Sequence, residues 1–472
     1  MCGIVGIIGS ERASYDIFRG LMALQHRGQD AAGILTFDGE ELHIKKGTGL
    51  TSEVFDWSDL EDLRGSSGIG QVRYPTIGST GAGDAQPFVT NIPTTIGFAH
   101  NGNVVNYEEI KRMLKDKGRK LLSTCDAEAI LKLFASSLGE RCGEEDIYRG
   151  VKKVMETVNG SYSALALVAG HGLLAFRDPH AIRPMVFGEK EENGRKSYIF
   201  ASETVVLDLL GYNLIKNLEP GEAIYVDNNL RTNSIIIDGR ERKHCMFEWV
   251  YFARADSVVE GISVYRARLN LGVKLAELFE QSADIVMPVP DTSIPSSIAL
   301  AEKKNLRYRE GVIKNRYIGR TFIMGSQRVR TEAVREKLNP MPCEVEGKNI
   351  AVVDDSIVRG TTSTKIVEMI KKSGAEKVHL LSTCPPIKHP CVYGIDFSTR
   401  GELIAEEKSI GEIRAMIGCD SLTYQTLDGL SRAIGIPEKN LCMACLNGEY
   451  PTDVSLKTLR KYGEEREKQQ IP

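Results

Sequence analysis

The sequence predicts two fold classes in one chain: an α+β domain of packed β-sheets with outer helices, then an α/β domain on a parallel sheet. Three observations carry this. Up to residue 235, short β-branched and apolar runs are broken by Gly, Asp and Asn. Beyond a charged linker, "IDGRERKH" at Ile237–His244, apolar strands alternate with helical stretches, the order of a doubly wound parallel sheet. A length of 472 residues also exceeds what one core organises.

In the first domain, residues 2–235, the strand-like runs are "CGIVGII", "AGILTF", "ELHIKKG", "SGIGQVRY", "TTIGFAHNG", "SALALVAG", "GLLAFRD", "SYIFASE" and "EAIYVD". Helical patterns at Tyr15–Gln25 and Asp126–Leu138 interrupt them and are placed outside the sheets. In the second domain, residues 245–451, Leu269–Glu280, Ile298–Lys304 and Ser363–Lys372 are helical, and "ADIVMPVP", "NIAVVDD" and "VHLLST" are strands. Residues 452–472 read as a charged C-terminal helix or tail.

Composition narrows the function classes. Apolar residues make up 42% and charged residues 26%, enough for a core, and the net charge of −3 supplies no global basic field for nucleic acid or membrane. The N-terminal apolar run is too short and lacks the basic flank of a secretory signal. "SYSALALVAGHGLLAF" is interrupted by Gly and His and cannot span a bilayer. A cytoplasmic enzyme is expected. The ten cysteines then read as reduced thiols rather than a disulfide framework.

The strongest local signal is "NIAVVDDSIVRGTT". A strand buried on both faces ends in Asp354 and Asp355, and a helix starts just beyond. Ligands of open α/β sheets bind at such strand ends. Ser356, Arg359, Gly360, Thr361 and Thr362 can cradle a phosphate with backbone N–H groups, hydroxyls and a guanidinium. The acid pair suits ribose hydroxyls or a magnesium ion. The stretch resembles the phosphoribosyltransferase signature, in which the acid pair meets the ribose and the following loop takes the 5′-phosphate of 5-phosphoribosyl-1-pyrophosphate. That resemblance implies a type I phosphoribosyltransferase domain. Asp291 and Ser293 in "VPDTSIP" fall where a pyrophosphate loop would, and join Asp354 and Asp355 as expected magnesium ligands. Lys314 and Tyr317 open a basic stretch ending at Lys337, which reads as a cationic lid over the phosphates.

Cys2 needs a base to act as a nucleophile, and no histidine forms a motif with it. Removal of Met1 would supply one, since an α-amino group titrates at roughly 7.7–8.0, near the thiol's roughly 8.5. Its companions decide its role. "CGIVGI", "LQHRGQDAAGI", "GQVRYPTIG", "FAHNGNVVN" and "STCDAEAI" together resemble the N-terminal-nucleophile glutamine amidotransferase domain. The resemblance makes Cys2 the nucleophile on the glutamine carboxamide, Asn101 and Gly102 the oxyanion hole, Arg73 the partner of the α-carboxylate and Asp126 that of the α-amino group.

Joined in this order, the halves resemble the amidophosphoribosyltransferase family, in which ammonia freed from glutamine displaces pyrophosphate at ribose C1. "EWVYFARADS" matches its interdomain segment, with Ala255 where the family usually has proline, and Met324-Gly325 in "FIMGSQ" departs similarly. The family implies glutamine and phosphoribosylpyrophosphate as substrates, purine nucleotides as inhibitors and a homotetramer. Cys442 and Cys445 form a C-x-x-C pair, by itself compatible with a redox, zinc or cluster half-site. Cys245 and Cys391 fall where the iron–sulfur subgroup of this family has its other ligands, which implies one structural [4Fe–4S] cluster. Cys125, Cys142, Cys343, Cys384 and Cys419 are expected to be packing thiols. The alternatives are another amidotransferase, in which "VVDDSIVRGTT" has no place, and a non-catalytic sensor of phosphoribosylpyrophosphate, which needs no Cys2.

Overall fold

The structure, a computed structural model, describes residues 2–74, 81–139, 142–315, 338–395, 400–455 and 458–459. Two antiparallel sheets make up the N-terminal half. One has seven strands in the order Asn213–Asn217, Val186–Glu192, Arg195–Ala201, Gly3–Ile8, Ser67–Arg73, Ala31–Phe37 and Leu42–Thr48. The other has six: Thr232–Ile236, Glu222–Asp227, Gly172–Arg177, Gly160–Val168, Ile96–Val104 and Phe88–Thr90. Ile4, Leu35, Ile69, Leu165 and Leu173 fill the space between them.

Helices close both outer faces. Ala13–Ala23 and Thr204–Leu210 set Ile17, Leu21 and Val206 against the seven-stranded sheet. Tyr107–Asp116, Asp126–Ala135 and Glu144–Thr157 set Ile110, Ile130, Phe134 and Val151 against the other. With both faces covered, the central strands are buried throughout and mostly apolar rather than alternating, which made them legible. The two predicted helices form, at Ala13–Ala23 and Asp126–Ala135, but five more among the described residues correct the expectation: the short Thr51–Val54 and Trp57–Asp62, and three longer ones. Tyr107–Asp116 is mostly charged, and only Tyr107, Ile110 and Leu114 mark its buried stripe. Glu144–Thr157 hides its stripe in the same way. Thr204–Leu210, "TVVLDLL", is β-branched, and packing against its neighbours rather than propensity makes it helical.

The C-terminal half is built on a parallel sheet in the order Arg307–Tyr308, Ile285–Pro288, Asn349–Asp354, Lys377–Ser382 and Ser421–Tyr424. Helices Val264–Leu278 and Ile294–Lys304 cover one face through Leu275 and Leu300. Thr361–Lys372 and Ile410–Ile417 cover the other through Ile366 and Ile413. Strand order reverses between Ile285–Pro288 and Asn349–Asp354, and that reversal opens a crevice at their carboxyl ends. A further core joins the halves. In it His244–Cys245 pairs in parallel with Leu441–Cys442, beside Trp249, Cys391, Tyr393 and Cys445. Among the described residues no helix is long and apolar enough to cross a membrane.

Candidate functional site

Cys2 lies buried at the head of Gly3–Ile8, a central strand hydrogen-bonded to Ser67–Arg73. Its backbone nitrogen donates to Asn101 Oδ1 at 3.1 Å, and its Sγ lies 3.6 Å from the Tyr74 carbonyl oxygen. Asn101 is fully buried, yet its Nδ2 has no hydrogen-bond partner. A buried amide donor left unpaired beside a thiol costs stability, and the cost has a purpose if a developing oxyanion takes it. Gly102 follows in the same strand, where a Cβ would lie 1.9 Å from the Ser161 carbonyl oxygen, so only glycine brings the backbone this close. Beyond Phe98 the outer edge of Ile96–Val104 has no paired strand among the described residues.

Arg73 ends its strand buried, with its carbonyl accepting from Asp30 N–H at 3.1 Å. Asp126 heads its helix, and Oδ2 accepts from Val104 N–H at 3.0 Å. Burial alone would raise the Asp126 carboxyl, but His100, the Val104 amide and Arg73 outweigh it and hold it below the usual range. His100 is itself fixed by Gln86, which meets Nδ1 at 3.2 Å and takes the His100 N–H at 2.8 Å. Its other nitrogen faces Asp126 Oδ2 at 3.6 Å. Cys125, expected only to pack, lies 3.7 Å from Asp126 Oδ1. The five predicted residues thus gather around one strand end. Gln86 and His100 were missed, although His100 stands beside Asn101 in "FAHNGN".

The crevice of the parallel sheet holds the acid pair. Asp355 N–H donates to Asp354 Oδ1 at 2.9 Å, and Ser356 Oγ donates to Asp355 Oδ1 at 2.6 Å. Burial, opposed by Ser356 and Arg268, pushes Asp355 up to about 6. Burial and repulsion from Asp355 push Asp354 well above the usual range. A buried carboxyl and its half-buried neighbour, resisting joint ionisation, form a donor set that fits a cation or ribose hydroxyls. Gly360, at φ +77°, turns the chain into helix Thr361–Lys372, and a Cβ there would meet Ile404 Cδ1 at 2.4 Å. Thr361 and Thr362 are exposed at the helix start, while Arg359 pairs with Glu402 at 2.8 Å.

The remaining expected ligands are otherwise engaged. Asp291 pairs with Lys314 Nζ at 2.6 Å, and Ser293 Oγ donates to the Val289 carbonyl. Tyr317 and the basic stretch through Lys337 lie outside the described residues. Among the described residues no three His, Cys, Asp or Glu side chains converge closely enough to hold a metal ion as they stand.

All ten cysteines are free, and Cys245, Cys391, Cys442 and Cys445 share one buried cluster with Cys384. Cys245 and Cys442 are register partners, and Tyr393 N–H donates to Cys391 Sγ at 3.4 Å. Burial pushes the Cys245 thiol up to about 11, with Arg183 pulling it down, and burial raises Cys442 and Cys445 as well. Burial disfavours the thiolate form here, and a bound cation would favour it. Cys343, expected to pack, is exposed, because it stands in the short helix Pro342–Val345 at the rim.

A buried ion network at the junction was also missed. Arg27 Nε donates to Glu203 Oε1 at 2.7 Å, and its Nη2 donates to Glu248 Oε2 at 2.5 Å. Glu203 Oε2 accepts from Arg254 N–H at 2.9 Å and Ser257 Oγ at 2.6 Å. Burial would raise Glu203, but Arg27, His26 and Ser257 hold it far below its ordinary value. Arg27 sits in "LQHRGQDAAGI", whose pattern gives no hint of partners some 176 residues away.

A model of the glutamine amidotransferase domain matches residues 75–208. The chain is 44% identical to the amidophosphoribosyltransferase of Pseudomonas aeruginosa, over 96% of this chain and 93% of that one. It is 43% identical to that of Methanocaldococcus jannaschii, over 97% and 99%. Among solved structures it resembles the glutamine phosphoribosylpyrophosphate amidotransferase from B. subtilis complexed with ADP and GMP, with TM-score 0.87 and 39% identity over 96% of this chain and 98% of that one.

Proposed function

The chain belongs to the amidophosphoribosyltransferase family, and from that premise we propose that its two sites work in series on one nitrogen atom. The overall reaction converts 5-phosphoribosyl-1-pyrophosphate, glutamine and water to 5-phosphoribosylamine, glutamate and pyrophosphate, the first step of purine biosynthesis. The observation that carries the residue assignment is the unpaired Asn101 Nδ2 beside Cys2.

Arg73 takes the α-carboxylate of glutamine and Asp126 its α-ammonium. Cys2 Sγ forms a bond to the amide carbon, and its proton passes to the Cys2 nitrogen, an amine once Met1 is removed. The carbonyl π electrons move to oxygen, where Asn101 Nδ2 and the Gly102 N–H receive the charge. Collapse breaks the C–N bond, the amine returns the proton to the leaving nitrogen as ammonia departs, and water then hydrolyses the thioester. In the crevice, Asp354 and Asp355 hold the ribose hydroxyls. Ser356, Arg359, Gly360, Thr361 and Thr362 hold the 5′-phosphate, and Lys314 and Tyr317 complete the set for phosphoribosylpyrophosphate. Ammonia then displaces pyrophosphate at C1.

Asp354 and Asp355, with Asp291 and Ser293 where the pyrophosphate loop would fall, would hold a magnesium ion, which would neutralise phosphate charge. Cys245, Cys391, Cys442 and Cys445 would hold a structural [4Fe–4S] cluster that ties residues 441–445 to the linker. The burial of these thiols in one core, beside Arg183, supports that reading. Purine nucleotides as inhibitors and a homotetramer belong to the same proposal. The test of the nucleophile is Cys2→Ala, which should abolish glutamine-dependent product formation while ammonia at high pH still supports it. Loss of both activities in a folded protein refutes a separate glutamine site.

A further inference from the structure

We infer that Asn103 is a positioning residue for the glutamine chemistry: it fastens the strand carrying Asn101 and Gly102 to residues 391–394 of the transferase half, which thereby aims the oxyanion donors. The inference rests on the reading of Asn101 and Gly102 given above. Asn101 and Asn103 project from the same face of Ile96–Val104, since side chains two apart share a face. The first meets the Cys2 nitrogen; the second donates from Nδ2 to the Val392 carbonyl at 2.8 Å.

The grip is repeated one residue on. Ser161, the register partner of Asn103, donates from Oγ to the Tyr393 carbonyl at 2.9 Å, and Arg183 Nε donates to the same oxygen at 2.9 Å. A Cβ on Gly394 would lie 3.3 Å from the Gly102 carbonyl oxygen, so the transferase segment lies directly against the oxyanion residue. That segment is held from its own side too, because the Tyr393 hydroxyl bonds Thr452 Oγ1 at 2.9 Å.

Packing alone does not explain Asn103. Its Oδ1 is buried without a hydrogen-bond partner, a cost an apolar residue of similar size would avoid. What the amide supplies is one directed bond to the other half, two residues from the donor that must meet the oxyanion. Small displacements matter there, because a shift of about 1 Å at reacting groups can lower a rate on the order of 100-fold.

The experiment uses the full-length enzyme with Asn103→Ala and, from the paired strand, Ser161→Ala, which removes the bond to the Tyr393 carbonyl. The glutamine kcat and KM, the ammonia-dependent rate and inhibition by an aldehyde analogue of glutamine are measured, the analogue's adduct placing an oxygen in the same hole. The glutamine kcat should fall about 10- to 100-fold, and affinity for the aldehyde should fall with it. The KM for glutamine should stay within about twofold, because Arg73 and Asp126 are untouched. The ammonia-dependent rate reports whether the fold is kept; if Asn103→Ala loses it, Ser161→Ala decides. An unchanged glutamine kcat, or a raised KM at unchanged kcat, overturns the inference. Asn101→Ala is run beside them. If it leaves the glutamine kcat intact, the oxyanion reading fails; if it lowers kcat where Asn103→Ala does not, only the anchoring fails.

Discussion

Asn101→Ala should damage catalysis far more than stability, and the structure gives the sizes. The side chain makes one bond, accepting from the Cys2 nitrogen at 3.1 Å, and leaves Nδ2 buried and unpaired. Removing the bond costs about 1 kcal/mol, while removing the unpaired donor returns about 1–3 kcal/mol. The small cavity left behind costs on the order of 1 kcal/mol. These nearly cancel, so Tm should move by no more than about 4 °C. The glutamine reaction, by contrast, loses an oxyanion donor, worth about 2.7–4 kcal/mol or roughly 100- to 1,000-fold in kcat. Thermal unfolding, with steady-state rates on glutamine and on ammonia, separates the two effects. A kcat loss under about tenfold, or a large Tm drop with a parallel loss of the ammonia reaction, would refute the reasoning.

The acid pair predicts an opposite trade. Because burial raises Asp355 to about 6 in the fold, its favourable contribution is present at low pH and lost as pH rises through about 6. Asp355→Asn should therefore raise Tm of the ligand-free protein at pH 7 more than at pH 4 while weakening phosphoribosylpyrophosphate use; equal shifts at both pH values would show that the carboxyl is not penalised there. Anaerobically purified protein should be brown and contain iron and labile sulfide, whereas stoichiometric zinc without visible absorbance would remove the cluster. Glutamine hydrolysis should rise over the concentration range in which phosphoribosylpyrophosphate binds with magnesium, since ammonia released at an empty acceptor site is wasted. Equal hydrolysis without that ligand would show that the glutamine site works independently of the acceptor site.

The sequence by itself determined both fold classes, because strands covered on both faces are mostly apolar and a parallel sheet must alternate with helices. It also offered Cys2, Asn101-Gly102 and Asp354-Asp355 as candidates, the two pairs through adjacent residues and Cys2 through the motifs that accompany it. The charged helix Tyr107–Asp116 and the β-branched helix Thr204–Leu210 were hidden, since what they pack against, rather than local pattern, sets their state. Only the tertiary structure paired Arg27 with Glu203 and Glu248, turned Gln86 onto His100, and set Asn103 against Val392. Each of these contacts joins residues far apart along the fold through one or two polar bonds. A bond of that kind leaves no periodicity and no spacing in the chain; it exists only once hydrophobic burial has fixed the two backbones at hydrogen-bonding distance.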